Sequence, residues 1–241
     1  MKTILDITKE YLNTYPEEDY QINQGASLLL IQEDKIMFTL TKTNKWKKNE
    51  DITEIKFSGI GGALEKNESI FECLKREVKE EISLDIKEID LPNLDEAFLV
   101  NNTEVLEKIK IGIDKHERVP LYIVRLKLPL REDTLEKNKK FSCLQLIVYV
   151  GKINSNTYIE ISNEETIPGL LVVRGTMLKD LLDGKIILNS KTINNDIEIR
   201  WNKNFEQKLI PDKIKLIPQF TPIGLKTTEL TFNDIKKIWK E

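Results

Sequence analysis

Residues 68–84, ESIFECLKREVKEEISL, constrain this chain more than any other segment. Ile70, Leu74, Val78 and Ile82 recur every four positions with Phe71 beside them, and the opposite surface is almost entirely charged. That pattern predicts an amphipathic helix with one apolar face to bury, and Asn67 is a reasonable N-cap. The segments around it supply the surface it needs. ASLLLIQ after Gly25, a turn at Glu33-Asp34-Lys35 and IMFTLTKT read as a β-hairpin, and EIKFSGIGGALE as a short strand breaking into glycines. Further strands are expected at 85–90, 96–101, 119–127 and 142–153, and IPGLLVVRGTMLKDLLDG as a strand or loop leading to a short helix closed by Gly184. Alternation of this kind predicts an α/β fold.

The ends read differently. Residues 3–14 form an amphipathic helix that stops before Tyr15-Pro16, because a residue preceding proline avoids the α region. Residues 44–52 and the stretch REDTLEKNKK read as polar loops, the latter a solvated hairpin tip. The tail is rich in Lys, Asn and Ile, carries Pro211, Pro218 and Pro222, and finishes in a helix from Asn233. The domain plan is therefore a helical extension at 1–23, a main domain at 24–185, and an extension at 186–241 packed on that domain or swapped between copies. With 241 residues, one domain with additions is favoured over two equal ones.

A hydrophobic share of 40%, a charged share of 32% and a net charge of −3 exclude a disordered chain and a broad basic footprint. Neither duplex nucleic acid nor membrane is an expected partner. The N-terminus turns acidic before any apolar stretch long enough for a signal peptide, which makes the cytoplasm the expected compartment. Cys73 and Cys143 lie in a helical and a strand-like pattern with no CxxC, so both are expected to be buried free thiols.

The chemistry lies on the polar face of the 68–84 helix. At about 100° per residue, Glu77 and Glu81 lie roughly 40° apart and Glu80 roughly 60° to the other side of Glu77. Neighbours at this spacing sit about 5–6 Å apart at Cβ and repel. A divalent cation would offset that repulsion, and oxygen-only ligands select Mg²⁺ or Mn²⁺ over zinc; the single histidine, His116, in a polar loop, fits that choice. By helix chemistry alone, a solvated charged face helped by Glu72/Arg76 and Arg76/Glu80 is the plainer alternative.

Context decides between them. Gly62-x5-Glu68-x7-Arg76-Glu77-Val78-x-Glu80-Glu81-x-Ser83-Leu84 resembles the box of the Nudix hydrolase family, G-x5-E-x7-R-E-U-x-E-E-x-G-U with U aliphatic. Ser83 stands in place of the last glycine, and Ile60 precedes the paired glycines where many members have proline. A helix-ending glycine normally takes the left-handed conformation, so Ser83 is expected to cost about 1 kcal/mol.

The resemblance implies an α/β/α sandwich around a mixed sheet and a Mg²⁺- or Mn²⁺-dependent pyrophosphohydrolase. Its substrate would be a nucleoside diphosphate linked to another moiety, such as an ADP-sugar, a dinucleotide or a nucleoside triphosphate. It makes Glu77, Glu80 and Glu81 the metal-coordinating carboxylates, with a backbone carbonyl near Gly61 or Gly62 as a further ligand and Arg76 orienting them. Glu68 either complements the helix N-terminus or supports the metal site. The general base is either Glu77 or one of Glu164 and Glu165 in a later loop. Trp46 amid Lys42, Lys45, Lys47 and Lys48 offers base stacking and phosphate binding, with an exposed loop as the blander reading; Arg118, Arg125 and Arg174 are alternative phosphate clamps. Family members often dimerise, so a homodimer is expected. A non-catalytic Nudix-fold sensor of a nucleotide-like ligand is the competing function, disfavoured because a pure binding module has no need of three crowded glutamates.

Overall fold

A computed structural model describes residues 2–102, 104–112, 118–130, 138–162, 167–190 and 194–239. The chain begins with helix α1 (Ile4–Leu12), started by Thr3, whose hydroxyl accepts from the Asp6 amide while the Asp6 carboxylate accepts from the Thr3 amide. Strands β1 (Tyr20–Gln32), β2 (Lys35–Leu40), β3 (Lys47–Asn49), β4 (Ile52–Ser58) and β5 (Ile60–Ala63) precede helix α2 (Ile70–Ile82). Then come β6 (Glu96–Asn101), β7 (Glu104–Lys110), β8 (Tyr122–Leu128), β9 (Phe141–Ile153) and β10 (Gly169–Arg174), followed by the short helix α3 (Leu178–Leu182). The tail contributes β11 (Ile187–Asn189), β12 (Ile197–Trp201) and β13 (Lys213–Pro218), then α4 (Phe220–Thr227) and α5 (Phe232–Lys237).

All these strands join one mixed sheet whose main path runs β11-β13-β4-β2-β1-β9-β8-β6-β7. Its spine is the parallel pair β1 and β9, in register from Tyr20 opposite Phe141 to Gln32 opposite Ile153. Alternation along β1 sends side chains to two cores. Leu29 and Ile31 join Leu181, Leu225 and Ile235 from α3, α4 and α5 on one face, whereas Ala26, Leu28 and Leu30 join Leu74, Val78 and Ile82 of α2 and Ile4 and Ile7 of α1 on the other. Helices therefore cover both faces, giving the expected α/β/α arrangement. Each fully buried Leu or Ile contributes roughly 1.5–3 kcal/mol relative to exposure, which is what fixes the polar edge of α2 in one direction.

The structure corrects several expectations. Helix α2 starts from Ser69, whose side chain accepts from the Glu72 amide while Glu72 accepts from the Ser69 amide; Asn67 instead sits in the preceding turn at φ 67°. The 85–90 segment is a 3-10 turn (Ile86–Glu88) with a single bridge from Asp90 to Lys152, its one-turn form favoured by Asp85 capping Lys87. Within 44–52 a short strand, β3, pairs with β4. Strand β7 and the tail elements β11, β12, β13 and α4 were not anticipated, and β13 runs parallel to β4 with Lys213 opposite Ile52. The hairpin-tip reading falls mostly on residues 131–137, outside the described ones.

Candidate active site

The box begins where the backbone of β5 closes tightly on β1. Strand β5 pairs antiparallel with β1, Gly61 opposite Ser27 and Gly62 opposite Ala26. Gly61 has φ 150°, and a Cβ there would lie 2.7 Å from the Ser27 Cα. A Cβ on Gly62 would meet the carboxylate of Glu77, 2.5 Å from its Cδ. Paired glycines are thus required twice over: one lets the strand close on β1, and the other leaves room for a carboxylate against the backbone.

Helix α2 then presents its acidic edge to that turn. Glu77 and Glu81, one turn apart, are each only 9% exposed, an unusual state for a carboxylate. The Gly61 amide donates to Glu81 Oε2 at 2.9 Å. Arg76 gathers the others: Nη1 donates to Glu77 Oε1 at 2.7 Å and Glu80 Oε2 at 2.9 Å, Nε to Glu68 Oε1 at 2.9 Å, and Nη2 to Glu68 Oε2 at 3.1 Å and the Ala63 carbonyl at 3.0 Å. The Arg76 hydrogen bond holds the Glu68 carboxyl below its ordinary value, and Glu68, then Glu77 and Glu80, raise Arg76 in turn. Glu68 also accepts from the Glu65 amide ahead of the helix. Glu68 thus lies ahead of α2 and holds Arg76, which in turn reaches Glu77 and Glu80.

Among the described residues, no three His, Cys, Asp or Glu side chains converge as a ready-made metal cluster, and Arg76 lies between Glu77 and Glu80. The donor set nevertheless fits a hard divalent ion. Two nine-tenths-buried carboxylates stand beside a cradle that only glycine leaves open, and every donor is oxygen. Cys73 is no competing ligand or nucleophile: buried against the Gly62 and Ala63 carbonyls, its thiol is pushed up by burial to about 11.

Glu77, Glu81, Gly61 and Gly62 line one cleft of about 830 Å³. Its floor is the β1 and β9 surface carrying Ser27, Ser142, Leu144 and Leu146, and one end is formed by Lys42 and Lys45. A further wall is formed by Gln219, Phe220 and Thr221, at the start of α4. Sequence reasoning missed that wall. Nothing in the residues around Pro218 and Pro222 signals that they return to the glycine turn.

The remaining candidates lie elsewhere. Trp46 packs with Trp201 and Phe205 and donates from Nε1 to the Thr41 carbonyl at 2.7 Å, so its ring serves a surface aromatic cluster rather than the described lining of the cleft. Lys48 is exposed on β3. Arg174 pairs with Asp34 and Asp196, both at 3.0 Å, and Arg118 is exposed; neither is among the described residues lining the cleft. Arg125 is buried beneath α1, stacked on Tyr11 and donating to the Ile7 carbonyl. Glu164, Glu165 and His116 fall outside the described residues.

A mixed sheet sandwiched by helices, with a glycine turn facing a carboxylate-edged helix across one cleft, defines the architecture of a pyrophosphohydrolase of the Nudix type. Residues 22–141 match the family model for the NUDIX domain, so with the box intact around Arg76, Glu77, Glu80 and Glu81 the chain belongs to the Nudix family. Solved structures it is similar to include a NUDIX-family hydrolase from Clostridium perfringens, 19% identical over 66% of this chain and 86% of that one at TM-score 0.38. An Ap4A hydrolase from C. elegans is 11% identical over 67% and 84%, TM-score 0.39. The dihydroneopterin triphosphate pyrophosphohydrolase of E. coli is 12% identical over 61% and 77%, TM-score 0.33.

Proposed function

We propose that this Nudix enzyme hydrolyses a phosphoanhydride in a nucleoside diphosphate joined to another group, a class that spans ADP-sugars, dinucleotides and nucleoside triphosphates. The catalytic unit is 24–185, with 1–23 a helical extension and 186–241 packed on it or swapped in a homodimer. The cytoplasm is its expected compartment, and among the described residues no helix is long and apolar enough to cross a membrane.

Glu77, Glu80 and Glu81, with the Gly62 carbonyl, would hold Mg²⁺ or Mn²⁺, which when bound neutralises diphosphate oxygens and acidifies a water. The protein's own groups set up the rest. Arg76 keeps the Glu77 and Glu80 carboxylates aimed, and Glu68 fixes Arg76 from behind. Glu81 takes its orientation from the Gly61 amide. The proton of the attacking water goes to Glu77 or to Glu164 or Glu165. Lys42 and Lys45, which line the cleft, are better placed than Lys48 for the substrate's phosphate charge.

The observation that carries this reading is the pair of nine-tenths-buried carboxylates, Glu77 and Glu81, facing a cleft of nucleotide size across the glycine turn. Burial of like charges one helical turn apart is costly unless a cation compensates it. The test is phosphate release from a panel of ADP-sugars, dinucleotides and nucleoside triphosphates with Mg²⁺ or Mn²⁺. Glu81→Gln keeps an acceptor for the Gly61 amide, so it should fold, yet should lose activity on the order of several hundredfold. A wild-type protein inert on the whole panel would overturn the reading.

A further inference from the structure

Resting on that reading, we infer that the start of α4 is the specificity wall of the cleft, and that Phe220 stacks the nucleobase of the substrate. The wall is outside the region matched by the family model, which ends at residue 141. It is held in place by contacts unrelated to any ligand. The Gln219 amide donates to the Phe57 carbonyl at 3.0 Å, fully buried Thr221 donates from Oγ1 to Ser27 Oγ at 2.9 Å, and the Tyr122 hydroxyl donates to the Thr221 carbonyl at 2.8 Å. Strand β13 leads into it, locked parallel to β4 as far as Pro218 opposite Phe57. Positioning of this kind comes with folding, so a ligand meeting the wall need not order it.

The aromatic residue of that wall is Phe220, which lines the cleft. Phe220 is half-buried against the core and makes no ring-ring contact among the described residues; Phe38, Phe57, Phe71, Phe141 and Phe205 each have an aromatic neighbour, while Phe98 and Phe232 lie under Lys108 and Lys236. The β1 and β9 surface of the same cleft carries apolar Leu144 and Leu146 and polar Gln21, Asn23 and Ser142. The Asn23 side-chain amide donates to Ser142 Oγ at 2.6 Å, which leaves its carbonyl oxygen as an acceptor in the cleft. An apolar slot with an aromatic wall and an amide edge suits a flat heteroaromatic ring bearing exocyclic donors, and the carboxylates in the same cleft suit a diphosphate. One molecule that satisfies both is a nucleoside polyphosphate; a sugar diphosphate without a base leaves the slot unfilled.

The test compares wild type with Phe220→Leu, which keeps apolar volume against the core, and Phe220→Trp, which keeps a ring. Steady-state kinetics are run on the nucleotide substrate found active and on 5-phosphoribosyl 1-diphosphate, a base-free diphosphate. Binding of adenosine and guanosine 5′-monophosphate without metal is measured by calorimetry on the full chain. Phe220→Leu should raise KM and weaken monophosphate binding about tenfold or more, with kcat within about threefold, while Phe220→Trp retains wild-type values. Wild type should use the base-free diphosphate at least about tenfold less efficiently than the nucleotide. Unchanged KM and unchanged monophosphate binding in Phe220→Leu overturn the assignment, as does equal use of the base-free compound. Should wild type turn over nothing, the hydrolase reading fails on its own, and monophosphate binding still decides for or against the stacking wall.

Discussion

The two walls of the cleft are built on opposite principles. The α2 wall is made by neighbours in sequence: Glu68, Arg76, Glu77, Glu80 and Glu81 lie within one helix and its entry turn, and a single guanidinium ties three of these carboxylates, Glu68, Glu77 and Glu80, together. The α4 wall is made by distance. Thr221 meets Ser27 across 194 residues of chain, and Tyr122 reaches Thr221 across 99. Local spacing can therefore specify the reactive edge, whereas the specificity edge exists only once the sheet has closed. The difference teaches where change is cheap: the first wall tolerates little substitution of residue type, while the second can vary wherever packing holds its backbone.

If that contrast is right, the largest stability effect should come from disturbing the distant wall. A Cβ on Gly224 would lie 2.6 Å from Tyr122 Cε2 and 2.7 Å from Val124 Cγ2, both in the sheet. Gly224→Ala should lose about 1–3 kcal/mol in urea denaturation, because helix α4 must lift from β8. KM should rise with little change in kcat, since the α2 wall is untouched. A variant of full stability with unchanged KM would show that α4 is not seated as described.

The α2 wall is probed by pH, with a smaller effect. Arg76 holds Glu68 below its ordinary value of 4.5, so the pair stabilises the fold fully above that value and is lost as pH falls through the lower, folded one. Without divalent metal, wild type should lose more stability than Glu68→Gln between pH 7 and pH 3, by about 1 kcal/mol or less given partial exposure. Parallel stability curves for the two proteins would remove Glu68 from the network.

Much of the first wall was legible in the sequence, and the reason is physical. Ile70, Leu74, Val78 and Ile82 fix which side of α2 is buried, so the orientation of Glu77 and Glu81 follows from the helix period. Ser69 as the cap was missed because Asn67 is an equally good capping residue by type; the reciprocal bond with Glu72 decides between them. The tail was illegible for another reason. Strands of three, five and six residues, β11, β12 and β13, carry too few alternating positions to stand out, and their partners lie far away in sequence. Pro222, in the first turn of α4, is compatible with a helix start but equally with a loop. Trp46 illustrates the converse case, since an aromatic among lysines reads as a binding surface, and its packing against Trp201 and Phe205 depends on partners far away in sequence.

The smallest effect concerns the residue where this chain departs from the family pattern. Ser83 closes α2 at φ 58° and ψ 18°, and its amide donates to the Lys79 carbonyl at 3.1 Å, so it adopts the left-handed conformation that glycine usually provides. A side chain there costs energy that glycine avoids, while glycine loses more backbone entropy on folding; at a left-handed cap the first effect dominates. Ser83→Gly should therefore raise stability by about 0.5–1 kcal/mol, a Tm increase of about 1–4 °C for a chain of this size. Activity should stay the same, because the Ser83 backbone supports the end of the helix and none of the carboxylates. An unchanged or lower Tm would mean that Ser83 is relaxed in its left-handed conformation, and that the α2 wall ends in a way particular to this chain.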